Sequence, residues 1–108
     1  MILQPVRGAD AEARLARALA ADALAQGVSV SIETCRSQPW FSATFEGVQL
    51  RLTLTASPAA AARAWLGGLG DAELPMRGHV AMPPAVDAAV PCGNAMTAEL
   101  SVLVLIDG

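Results

Sequence analysis

The sequence predicts an α+β fold: a two-layer α/β sandwich, with two helices on one face of a mainly antiparallel sheet. Three observations predict it. A helical repeat of apolar residues runs from about residue 9 or 10 to residue 26. The period then changes to two over residues 28–35 and again over residues 48–55. A long apolar run follows at residues 100–106, after a second helical pattern at residues 59–66.

In the first helix Asp10 is placed to cap the open amides and Gly27 to stop the last turn. Leu15, Ala16, Leu19, Ala20, Ala23 and Leu24 are expected on the packed face, with Arg14, Arg17 and Ala21 opposite. Residues 1–6 are a candidate leading strand, interrupted by Pro5. With it, the order approaches a β-α-β-β-α-β, ferredoxin-like arrangement.

Beyond Gly27, Val28, Val30, Ile32 and Thr34 alternate with Ser29, Ser31, Glu33 and Cys35, as a strand with one buried face requires. Residues 36–39 read as a connection, because Pro39 lacks an amide and biases Gln38 away from helix. A short strand with Phe41, Ala43 and Phe45 facing inward is then expected. A tight turn at Glu46 and Gly47 leads to the cleanest strand, where Val48, Leu50, Leu52 and Leu54 alternate with Gln49, Arg51, Thr53 and Thr55.

Ser57 and Pro58 read as cap and first-turn proline of the second helix, which Gly67, Gly68 and Gly70 end. A short strand at residues 79–82 is expected, stopped by Pro83 and Pro84, and residues 85–95 read as a loop or a single helical turn. The last strand, residues 98–106, is apolar on both faces near its end, as a central strand is.

With 108 residues the chain has room for one core, so residues 1–108 form one domain. Apolar residues make up 54%, but much of that is alanine, which brings little area per residue. Seven basic residues, all arginine, against ten acidic ones give a net charge of −3. The arginines are scattered, which argues against a nucleic-acid partner, since neutralising phosphates takes a concentrated basic surface. No apolar run is long enough to span a bilayer, so no membrane partner is expected. The first residues, Met-Ile-Leu-Gln-Pro, lack the basic and apolar regions of a secretory signal, and a cytoplasmic location is the default expectation.

No catalytic motif stands out. His79 is the only histidine, and a general base needs a positioned substrate and an orienting group that sequence does not reveal. Cys35 and Cys92 form neither a CxxC pair nor a disulfide framework, although Arg36 beside Cys35 and the turn around Cys92 are of interest for thiol chemistry. One histidine and two distant cysteines give no metal-ligand spacing, and the acids form no DxD or ExxE cluster, so neither a metal nor a cofactor is expected. Gly67, Gly68 and Gly70 follow a helix instead of preceding one, which makes them a helix stop and not a phosphate loop.

The segment 36–41 is the most informative surface candidate. Arg36 and Gln38 supply polar groups, and Trp40 must leave the core if Phe41 enters it. The leading expectation is therefore a non-catalytic protein interaction or assembly module, with a homo-oligomer or another protein as partner. The alternative is a small-molecule binder or small enzyme with a cleft formed by residues 36–41 and 71–95, to which Arg36, His79 and Cys92 contribute. The candidate residues are Arg36, Gln38, Trp40, His79 and Cys92. Ser29, Ser31, Glu33, Gln49, Arg51, Thr53 and Thr55 would make the open sheet face polar, which favours a monomer or a dimer made through a sheet edge.

Overall fold

Helix α1 spans Gln4–Ala25, in a computed structural model that describes residues 4–106, with side chains from residue 10 onward. The helix starts earlier than the cap at Asp10 predicts. Pro5 lies in its first turn, where a proline is tolerated because the amide it lacks has no helical partner there. The leading strand is therefore not formed at residues 4–6, and residues 1–3 lie outside the described part. The finer β-α-β-β-α-β order is not established.

Ala11, Leu15, Leu19 and Ala23, four residues apart, are buried along α1. Leu24 is 72% exposed, against expectation. It lies nine residues beyond Leu15, about two and a half turns, which puts it on the opposite side of the helix. Gly27, at φ +75°, closes the helix, and the Val28 amide donates to Ala23 C=O at 2.9 Å.

Strand β1, Ser29–Phe41, is continuous through the expected connection. It pairs antiparallel with β2, Glu46–Ser57, with a bulge between Thr34 and Arg36. The turn between them is at residues 42–45 and not at Gly47. The Ser42 amide donates to Phe45 C=O at 2.8 Å, and the Phe45 amide donates to Ser42 Oγ at 3.0 Å. Two features hide this strand from its sequence. The bulge resets the side-chain phase, and Pro39 sits on an edge strand where a missing amide can face away from the ladder. Phe41 and Phe45, expected inside, are 65% and 56% exposed.

Helix α2, Ala59–Gly68, begins after a cis Ser57–Pro58 peptide and passes into a 3₁₀ turn at Leu69–Asp71. Ser57 belongs to β2 and makes no cap; Pro58 holds the cap position without a side-chain bond. The short strands β3, Pro75–Met76, and β4, His79–Ala81, form a hairpin. Residues 85–92 are a strand, β5 (Ala85–Cys92), and not a loop. Alanines and a bulge between Val86 and Ala88 mask its alternation. Strand β6, Ala95–Ile106, is central as predicted: β2 lies along one edge, and β5 and β4 follow one another along the other.

The sheet order is β1-β2-β6-β4-β3, with β5 also on β6, and every pairing is antiparallel. Leu50, Leu52 and Leu54 of β2 and Leu100, Val102 and Val104 of β6 face the helices and are buried with Leu15, Leu19, Trp65 and Leu69. The result is a mixed α+β fold with both helices on one face of a largely antiparallel sheet. No helix among the described residues is long and apolar enough to cross a membrane.

Candidate functional site

The bulge at Cys35 decides which side chains β1 shows. Before it, Val30 and Ile32 pair with Ala56 and Leu54 and point to the helices. After it, Ser37, Pro39 and Phe41 take the helix side. Arg36, Gln38 and Trp40 consequently turn to the face without helices, opposite Arg51, Gln49 and Gly47.

The register continues each of these positions across the sheet. Trp40 pairs with Gly47, Gly47 with Leu105, Leu105 with Val80 and Val80 with Pro75, giving a transverse row that is apolar from edge to edge. Trp40 and Leu105 are half-buried, and Val80 is 54% exposed. Gly47 is required in this row. A Cβ there would sit 2.5 Å from the Val104 carbonyl oxygen and 3.3 Å from Leu105 Cδ2, which leans into the vacant space. The next row holds Gln38, Gln49 and Leu103, whose carbonyl accepts the Met82 amide at 2.8 Å. The row after that holds Arg36, Arg51 and Ser101, and the Ser101 hydroxyl donates to Asp87 Oδ2. The face therefore grades from apolar to charged over three rows.

His79 faces the other way. It pairs with Ile106 on the helix side, and its side chain is 8% exposed. Its Nδ1 lies 3.0 Å from Arg77 C=O, which can only accept, so Nδ1 carries the proton in that bond. Nε2 is 3.8 Å from Asp10 Oδ2, which also accepts from Arg14 Nε at 2.9 Å. The Arg14 hydrogen bond holds the Asp10 carboxyl below its usual range; burial opposes this, and the charges of Arg14, His79 and Arg17 reinforce it. This cluster sets α1 beside β4, with the histidine ring fixed by its Nδ1 bond and Nε2 turned towards Asp10. A shallow open depression of about 440 Å³, lined by Glu73, Leu74, Met76, His79, Val80 and Pro83, lies beside it.

The five sequence candidates thus occupy three places. Arg36, Gln38 and Trp40 share one strand and one face. Cys92 pairs with Ala95 at one end of β6 and His79 with Ile106 at the other, about 36 Å apart at 3.3 Å per residue. Cys35 Sγ lies 3.0 Å from Thr53 Oγ1, out of reach of both. Trp40 and Val80 stand about 14 Å apart, three strand spacings, with β2 and β6 between them. No group of three His, Cys, Asp or Glu side chains gathers at metal-binding distance among the described residues.

Sequence reading missed Gly47, Leu105 and Val80 as members of one row, because cross-strand register is not local. It also missed Asp10 with Arg14, although their four-residue spacing on a helix was visible. No known family model matches the chain, and no curated protein matches it.

Proposed function

We propose that the protein is a non-catalytic assembly module that makes contact through the outward half of β1 and the apolar row it leads into. One observation carries this reading: Arg36, Gln38 and Trp40 stand in a line on the helix-free face, at the free edge of the sheet, and Trp40 begins a row continued by Leu105 and Val80. A half-buried tryptophan beside polar groups on the open face of a sheet has the composition of a protein contact. The cleft reading draws less support, since segments 36–41 and 71–95 meet this face on opposite sides of β2 and β6.

Sedimentation of the wild type beside Trp40→Ala tests the proposal. The wild type is expected to exceed the monomer mass at tens of micromolar, and Trp40→Ala to shift towards monomer with an unchanged unfolding midpoint. A wild type that stays monomeric at every concentration would overturn a self-assembling module.

A further inference from the structure

We infer that the partner is a second copy of this chain, joined edge to edge through antiparallel β1 strands whose two-fold axis passes between Thr34 and Cys35. This deepens the assembly reading and rests on it.

Strand β1 is the outermost strand of the sheet and is 13 residues long, and its far side pairs with nothing among the described residues. Edges of that length invite pairing. Pro39 takes one donor from this edge, and the other outward-facing backbone groups of the strand remain to pair. The Ser42 amide bonds back to Phe45, and alternation along the ladder from that bond puts the position of the amide missing at Pro39 on the free side. The carbonyl of Pro39 remains available there.

Only one register suits both faces and the charges. The bulge reverses the phase, so helix-facing residues are Val30, Ile32 and Thr34 before it and Ser37, Pro39 and Phe41 after it. A two-fold between Thr34 and Cys35 pairs Ile32 with Ser37 of the second copy and Val30 with Pro39, both on the helix side. On the open face it pairs Ser31 with Gln38, Ser29 with Trp40 and Glu33 with Arg36. A slip of one residue mixes the two faces. A slip of two keeps the faces but removes the carboxylate opposite Arg36.

Charge supplies the independent argument. Within one chain Arg36 is the cross-strand partner of Arg51, an unfavourable like-charge pair, and neither Arg36 nor Glu33 has an ion pair among the described residues. The pairing brings Glu33 of the second copy opposite Arg36, twice per dimer. It also carries Phe41, 65% exposed on the helix side, to the start of the second copy's β1, where α1 ends with its 72% exposed Leu24. The two most exposed large apolar side chains are thus drawn towards each other at both ends of the junction.

Charge reversal tests the register. Glu33→Arg and Arg36→Glu are surface changes, and circular dichroism should show both variants folded. Each alone is expected to weaken the wild-type dimer at least tenfold in sedimentation equilibrium, because like charges then face across the two-fold. Mixed together they should recover a heterodimer, since one protein is positive at both positions and the other negative at both. A wild-type dimer indifferent to both reversals, yet weakened by Trp40→Ala, would overturn the edge pairing and leave the assembly reading standing. Two weakened variants that fail to combine would also overturn it. A wild type that never dimerises would overturn both.

Discussion

The indole Nε1–H of Trp65 donates to Asp22 Oδ2 at 2.8 Å, joining α2 to α1 above the sheet. Trp65 is the largest fully buried side chain, and this bond satisfies its one polar atom. Asp22→Ala leaves the buried donor unpaired and should lower stability by about 1–3 kcal/mol in urea unfolding. Asp22→Asn keeps an acceptor and should recover most of that. Equal losses in both variants would show that the hydrogen bond contributes little.

Two glycine substitutions should move in opposite directions. Gly47→Ala puts a Cβ against the Val104 carbonyl, a backbone atom that cannot swing aside, and should cost at least about 1–3 kcal/mol. Gly67→Ala, inside α2 with nothing within 4 Å, should raise stability by about 0.5–1 kcal/mol. Thermal unfolding of the pair checks both signs.

The depressed carboxyl of Asp10 predicts an acid limb in stability. A group whose pKa is lower in the folded state contributes fully above its unfolded value of 3.8 and loses that contribution as pH falls through the lower folded value. Unfolding midpoints measured from pH 6 down to about 2.5 should fall less steeply in Asp10→Asn than in the wild type. Parallel curves would show that the Arg14 contact does not persist in solution.

The two tryptophans should report separately by fluorescence. Trp65 is 1% exposed, whereas Trp40 is half-buried on the open face. Trp40→Phe should leave blue-shifted emission that acrylamide quenches poorly; strong quenching of the remaining indole would contradict the burial of Trp65.

What the sequence disclosed follows from how locally each feature is encoded. The alternation of β2 is uninterrupted, and its outward residues Gln49, Arg51, Thr53 and Thr55 lie where that alternation puts them. The coarse layering followed from the same periodicities. Strand β1 reads as two pieces because a bulge looks like a change of element and Pro39 looks like a break. Strand β5 reads as a loop because alanine carries almost no amphipathic signal. Arg36, Gln38 and Trp40 stand out in the sequence as a segment, but their common face depends on a single extra residue, Cys35. Their continuation into Leu105 and Val80 depends on the pairing of Gly47 with Leu105, 58 positions apart, and of Leu105 with Val80.

The central place of β6 also governs the order in which the molecule can form. The β1–β2 hairpin joins residues that are neighbours in sequence, whereas β2 and β6 pair Ala56 with Met96 and Glu46 with Ile106, 40 and 60 positions apart. Such closures are slow relative to hairpin formation. During folding, β2 is therefore an open edge carrying Leu50, Leu52 and Leu54 on one side, and crowded chains will aggregate there first. Substitutions that delay β6, even at sites harmless to the finished fold, should reveal themselves as lost refolding yield at high protein concentration.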